Sequence, residues 1–279
     1  MLLTRSKTIR LLSGAIETLS LLSLKLFLKN RANWRQFPGR VFREYVSASG
    51  GDRWRSVPIE RLVPGISGRR ITVEYLDGEG IYTPVDELVY LALTTLYLNP
   101  SSVFEIGTFR GRTALNFALN SAPTTRVYTL DLPPASREGT MRVTNSADAA
   151  IIAKSATGID YRGKPGAEKI VQLFGDSLQF DFSPYYGRMD LVFIDGAHHY
   201  QAVMSDTEQA IKMLSPRGVI IWHDFANYGD YNDVTRAILD RLPKQRIIQI
   251  ANSQLACYQQ KPLSTSTPAP LPAQPECLH

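Results

Sequence analysis

Cysteine is almost absent from this chain of 279 residues, with Cys257 and Cys277 its only two. Their spacing suits neither a metal knuckle nor a redox pair. Two thiols near the C-terminus build no disulfide framework, which fits a reducing, cytoplasmic setting. Long apolar runs are missing too. The most hydrophobic stretch, 11–28, contains Glu17 and Lys25, whereas a spanning helix needs about 18 or more apolar residues with few charges. Glu17 also interrupts the apolar core of any signal peptide, and no small-residue cleavage site follows. Excess charge of one sign is absent from most of the chain. Residues 1–60 hold 11 Lys/Arg against 4 Asp/Glu, while the other 219 hold 20 against 22. The net charge of +5 therefore belongs to an N-terminal arm, and no nucleic-acid partner is expected of the rest. Without a G-x-G-x-x-G fingerprint, a nicotinamide dehydrogenase is disfavoured.

What is present is an ordinary globular composition, 44% hydrophobic and 20% charged, organised around Ser102–Leu119. Val103-Phe104-Glu105-Ile106 reads as a buried strand. Gly107 and Gly111 follow it, and Thr113–Leu119 carries apolar residues at helical spacing. Strand, glycine turn and helix let a backbone approach a nucleotide-like ligand with helix N–H groups aimed at it. The two glycines alone fit a plain tight turn equally well. Upstream, Thr83-Pro84-Val85-Asp86 predicts a helix start with Thr83 as N-cap and Asp86 bonding back, and Asn99-Pro100 predicts its end.

Downstream, strands and helices alternate. Val127–Leu130 precedes Asp131, placed for ribose recognition about twenty residues after the glycines. Ile170–Phe174 precedes Gly175-Asp176-Ser177, and Asp190–Ile194 precedes Asp195-Gly196-Ala197-His198-His199-Tyr200. A helix over Gln201–Leu214 and a turn at Pro216-Arg217-Gly218 lead to Val219–Trp222, which ends in His223-Asp224. A helix around Asp233–Leu242 and strands Arg246–Ile250 and Leu255–Gln259 follow. Such alternation predicts an α/β fold with a mostly parallel sheet and helices on both faces. Five strands carry polar groups at their carboxyl ends (Glu105, Asp131, Asp176, Asp195, His223-Asp224), the edge where open α/β sheets bind ligands.

Around this domain, taken as 82–260, lie four other segments. Residues 1–30 read as a basic amphipathic helix suited to a membrane surface, or to packing on its own domain or a homo-oligomeric mate. Residues 31–81, rich in Pro and Gly, read as a linker with short elements at most. Residues 132–168 are a long insertion of the kind used as a lid, with a helix predicted over 147–156. Residues 261–279, rich in Pro, Ser, Thr and Ala, read as a disordered tail.

The ordered motifs resemble a class I S-adenosylmethionine-dependent methyltransferase. Within that class they are most similar to the small-molecule O-methyltransferase branch that includes macrolide-sugar and cephalosporin-type enzymes. EIGTFRG (Glu105–Gly111) is similar to the first motif of the class, in the variant with a bulky residue where others carry the middle glycine. DLVFIDGAHHY (Asp190–Tyr200), followed by Asp206 and SPRGVIIWHDF (Ser215–Phe225), is the more specific match. The resemblance implies a Rossmann-like sheet of seven strands and O-methylation of a small hydroxylated metabolite, sugar or glycan. It implies that Gly107, Thr108 and Gly111 lie along the methionine part of S-adenosylmethionine and that Glu105 supports its amino group. Asp131 would take the ribose hydroxyls, and Asp176 with Ser177 the adenine edge, although a strand-terminal acid also caps a following helix. Asp195 and His198 would act at the methyl-transfer point, with His198 as general base. Relatives bind a divalent metal through an acid at the Asp195 position and a pair after the fifth strand. Asp195, His223 and Asp224 would be the ligands here, of Mg²⁺ or of an ion better suited to imidazole.

Two rivals remain. FGDSL (Phe174–Leu178) with Asp195-x-x-His198 imitates a serine esterase, whose triad must converge in space, but that family places its serine near the N-terminus and far from the acid and histidine. A methyltransferase-like domain used only as a binding module is the second.

Overall fold

The computed structural model describes residues 54–76, 82–133, 156–226 and 232–259. The helix expected over 1–30, the one over 147–156 and the tail over 261–279 lie outside the described residues. In chain order the elements are β1 (Arg55–Val57), α1 (Ile59–Leu62), α2 (Val85–Leu98), β2 (Ser102–Ile106), α3 (Arg112–Leu119), β3 (Arg126–Asp131), β4 (Ile170–Phe174), β5 (Met189–Ile194), α4 (Tyr200–Met213), β6 (Leu214–Trp222), α5 (Asn232–Arg241), β7 (Ile247–Ile250) and β8 (Ala256–Gln259).

The strands make one sheet in the order β1-β7-β8-β6-β5-β2-β3-β4. Only β8 runs against its neighbours, β6 and β7; the other pairings are parallel. This arrangement explains why the strands read as apolar runs rather than alternating ones, since both faces are covered. All six residues of β5 are buried. Successive side chains go to opposite faces. Phe104, Val192, Ile194, Ile220 and Trp222 pack with Val203, Ala210 and Met213 of α4 and Val234, Ala237 and Ile238 of α5. Val103, Val127, Leu191, Phe193 and Ile221 pack with Leu91 of α2 and Ala114, Phe117 and Ala118 of α3. Each wholly buried side chain of this size contributes roughly 1.5–3 kcal/mol of transfer free energy.

Strand order reverses where β2 lies between β3 and β5. The helices that follow β2 and β5 pack on opposite faces of the sheet, α3 on one and α4 on the other, which leaves a crevice at the carboxyl edge. The site is built at that point.

Several expectations are corrected. The sheet has eight strands, not seven, because β1 in the supposed linker pairs with β7, Arg55 opposite Ile248 and Val57 opposite Ile250. Thr83 is not the cap of α2: Pro84 holds that position without any side-chain cap, and Asp86 Oδ1 accepts only the adjacent Glu87 N–H at 3.1 Å. Asn99 does end α2, in the left-handed region at φ 43°. Pro216–Gly218 lies within β6, whose pairing with β5 shifts register between Met189 and Leu191. The 72–74 backbone is strapped across α3 by two asparagines one turn apart. Asn116 accepts the Glu74 N–H and donates to the Glu74 carbonyl, and Asn120 does the same with Thr72.

Candidate active site

β2 delivers the glycine loop to the crevice. Gly107 has φ +102°, and a Cβ there would lie 2.1 Å from the Asp195 carbonyl oxygen. Glycine is thus required because the loops after β2 and β5 touch at this point. Gly111 has φ +89°, and its missing Cβ leaves space taken by the Tyr161 ring, 2.4 Å from the ideal Cβ position. Between them Phe109, at the position where others carry glycine, adopts φ +48°. A non-glycine residue in this region stores strain of order 1 kcal/mol. Asp131 offsets it, its Oδ2 accepting the Phe109 N–H at 2.9 Å while Oδ1 accepts that of Leu132 at 2.7 Å. A carboxylate only accepts and has about four acceptor positions.

Glu105 is fully buried. Its Oε2 accepts the Thr129 hydroxyl, while Oε1 is buried with no hydrogen-bond partner. Burial, with Asp195 and Asp131 nearby, raises this carboxyl well above its usual range, against the Thr129 bond that lowers it. Thr108, expected at the ligand, turns inward. It is 3% exposed and its hydroxyl meets Thr129 at 2.7 Å and Gln172 at 3.0 Å. Only its backbone belongs to the loop. Asp176 caps its own turn, accepting the Leu178 N–H at 3.0 Å. Asp206 on α4 is wholly buried behind Gly196, its Oδ2 3.7 Å from that glycine's missing Cβ. Burial and the nearby Asp176 push it up to about 7. The Ser177 hydroxyl eases the charge, but neither Asp206 oxygen completes a hydrogen bond.

Across the crevice, the ends of β5 and β6 bring Asp195, His198, His223 and Asp224 together. His198 Nε2 lies 3.1 Å from Asp224 Oδ2 and 3.8 Å from Asp195 Oδ1. His223 Nδ1 lies 2.9 Å from Asp224 Oδ2 and 3.4 Å from Asp195 Oδ1. Its Nε2 lies 2.8 Å from Glu87 Oε2. Burial pushes His223 down, but Asp195, Asp224 and Glu87 together raise it well above its usual value. Both His223 nitrogens face carboxylates, an arrangement that favours the protonated ring. Burial raises Asp224, but His223 and His198 hold it well below the usual carboxylate range. Asp224 sits at φ +56°, a left-handed conformation that Asp tolerates better than most residues. Apolar Ile194, Val203, Trp222 and Val234 line the hollow beneath.

This geometry changes the expected metal ligands. Asp195, His198 and Asp224 offer atoms within 4.8 Å of one another, whereas both His223 nitrogens are already committed to carboxylates. His199 is a cap, its Nδ1 accepting the Ala202 N–H at 3.3 Å at the start of α4. The serine-esterase arrangement does not form: His198 pairs with Asp224 and Asp195, and Ser177 faces Asp206. The residue that sequence reasoning missed is Glu87. It is 3% exposed on α2, binds His223 136 residues away, and also accepts the Gln254 N–H at 2.6 Å. The available signal was an acid on the buried stripe of α2, where an unpaired charge would be costly.

Residues 104–225 match a family model described as a methyltransferase domain. No curated protein matches significantly. Similar solved structures include the S-adenosylhomocysteine (SAH)-bound Podospora anserina methyltransferase PaMTH1, at 15% identity and TM-score 0.45 over 78% of this chain and 94% of that one. Another is the Bacillus cereus O-methyltransferase in complex with SAH, at 16% and 0.42 over 66% and 83%. A third is the O-methyltransferase TomG from Streptomyces achromogenes, involved in tomaymycin synthesis and in complex with SAM, at 17% and 0.41 over 65% and 82%. The matched segment runs from Phe104 in β2 to Phe225 beyond β6, spanning the whole acidic edge, and over this stretch the chain is similar to methyltransferase domains.

Proposed function

We propose that this protein is a methyltransferase that moves a methyl group from S-adenosylmethionine to a hydroxyl of a small molecule, sugar or glycan. The observation that carries the reading is the convergence of Asp195, His198, His223 and Asp224 across the crevice from the glycine loop. The residues present fit such a donor. Glu105 Oε1 is a buried acceptor without a partner, suited to an ammonium, and Asp131 is an acceptor-only group bonded to the glycine loop, the chemistry that ribose hydroxyls require. When bound, the donor supplies an electrophilic methyl on a cationic sulfur. The protein's part is to hold an acceptor oxygen in line with that methyl and to remove its proton. His198 is the base. Asp224, 3.1 Å from Nε2, favours the imidazolium that forms when the ring takes the hydroxyl proton. His223, held between Glu87 and Asp224, fixes Asp224 in turn. Loss of the hydroxyl proton as the bond forms avoids a cationic ether oxygen.

A second reading rests on the trio of Asp195, His198 and Asp224. These residues fit a divalent cation, which would acidify an acceptor hydroxyl as a Lewis acid. One imidazole among two carboxylates suits Mn²⁺ or Zn²⁺ better than Mg²⁺. Metal analysis of purified protein, and activity after chelation and after each ion is restored, separates the two readings.

The insertion and the 31–81 stretch would line the acceptor pocket, and the basic 1–30 arm would rest on an anionic membrane surface. No helix among the described residues is long and apolar enough to cross a membrane. Retention of full-length protein on anionic liposomes, against a truncation lacking 1–30, tests the arm. The function itself is tested by mass-spectrometric screening of hydroxylated metabolites and glycans for a gain of one methyl. Products requiring donor and His198 support it; methylation confined to amines would overturn the oxygen assignment.

A further inference from the structure

The insertion returns to the body by docking on the glycine loop. Gly158 N–H donates to Phe109 O at 3.0 Å, Asp160 N–H to Arg110 O at 2.8 Å, and Arg110 pairs with Asp160 at 2.6 Å. This docking sets the Tyr161 ring beside Gly111 and Gly158, where Cβ atoms would meet it at 2.4 Å. The Tyr161 hydroxyl donates to Gln172 Oε1 at 2.8 Å. Gln172 Nε2 faces three acceptors, Thr108 Oγ1 at 3.0 Å, Thr129 O at 3.1 Å and Leu173 O at 2.9 Å. The two carbonyls only accept, so they fix which end of the amide is nitrogen. Thr108, accepting from Gln172, has its own proton for Thr129 at 2.7 Å, and Thr129 donates to Glu105 Oε2. Every proton in this chain of four hydrogen bonds therefore points from Tyr161 toward Glu105. Such aligned chains strengthen one another in a low-dielectric interior. The chain occupies Glu105 Oε2 and leaves Oε1 as the carboxylate's buried acceptor without a hydrogen-bond partner.

We propose that Tyr161 is a positioning residue for the donor's amino group, acting through Gln172, Thr108 and Thr129 to orient the Glu105 carboxyl. The inference rests on the S-adenosylmethionine reading above. It makes docking of the insertion's returning end a determinant of donor affinity, since undocking removes the first donor of the chain. Burial raises the Tyr161 phenol, so it remains a donor throughout the working pH range.

The test is calorimetric binding of two probes to the full chain: SAH, and 5′-methylthioadenosine, which lacks the amino-acid group. Tyr161→Phe keeps the ring against Gly111 and removes only the hydroxyl. Gln172→Met breaks the chain one link later and serves as a second variant. Each is expected to weaken SAH about two- to tenfold, as loss of one hydrogen bond does, and to change 5′-methylthioadenosine less than about twofold. In a Glu105→Gln background the Tyr161→Phe effect on SAH should vanish. Equal weakening of both probes, or an undiminished effect beside Glu105→Gln, would mean that the ring merely packs and would overturn the proposal. Failure of the unmodified protein to bind SAH would overturn the donor reading itself, and this inference with it.

Discussion

Replacing Asp206 with Asn removes an ionisable group that the fold buries without a hydrogen-bond partner. Burial first, then the nearby Asp176, raises this carboxyl from 3.8 to about 7. A carboxyl whose folded-state value lies above its unfolded value binds more protons when folded, so the stability it supports falls as pH rises between the two. The difference of about three units corresponds to about 4 kcal/mol at 1.36 kcal/mol per unit. Asn cannot ionise in either state. Asp206→Asn should therefore differ little from the parent near pH 3 and gain stability progressively, levelling at roughly 4 kcal/mol above about pH 8. The unpaired amide of Asn costs something at every pH, which displaces the curve without changing its slope. Guanidinium unfolding of both proteins at several values between pH 4 and 9 gives the difference directly. A difference that does not change with pH would refute the reasoning, because Asp206 would then be ionised or neutral in both states alike.

Other perturbations give distinct signatures. His198→Ala should lower turnover by roughly 10²–10⁴-fold, the usual contribution of a general base, while calorimetric SAH affinity stays within about twofold. A comparable loss of affinity would move His198 out of the base role. Gly107→Ala places a carbon 2.1 Å from the Asp195 carbonyl and must part the loops after β2 and β5. Loss of donor binding with the fold retained, read by calorimetry and circular dichroism, is expected, and unaltered binding would refute the loop contact. Asp190 receives the Ser101 N–H and hydroxyl, the Ser215 hydroxyl and the Arg217 guanidinium at the opposite edge of the sheet. Although burial raises it, those donors hold it below the usual carboxylate range, so its stabilisation is present above about pH 4 and lost as pH falls further. Asp190→Ala should cost roughly 3 kcal/mol in denaturant unfolding at neutral pH and leave turnover of the folded fraction unchanged.

Much of the fold is legible in the sequence because parallel strands covered on both faces must be continuous apolar runs. Val103–Ile106, Val127–Leu130 and Asp190–Ile194 declare themselves in this way, and the acids that follow each run mark the carboxyl edge. β1 does not, because two of its three residues are exposed and only pairing with β7, nearly 200 positions later, makes it a strand. The first-turn motif of α2 misleads for a related reason: Thr83 precedes a proline that itself occupies the cap position, where no side chain accepts. At the site, Asp195, His198 and Asp224 are recoverable from strand-end position. Glu87 is only half so: its place on the buried stripe of α2 marks an acid that needs a partner, but nothing local points to His223. The inward turn of Thr108 follows from its bonds to Thr129 and Gln172, which depend on the β2, β3 and β4 register.

The central claim is that the crevice at the end of β2 and β5 holds S-adenosylmethionine. Isothermal titration of SAH into folded protein tests it most directly. The expected result is saturable binding at one site per chain, abolished by Gly107→Ala and weakened by Glu105→Gln. Absence of binding, to protein whose fold is verified by circular dichroism, would contradict it.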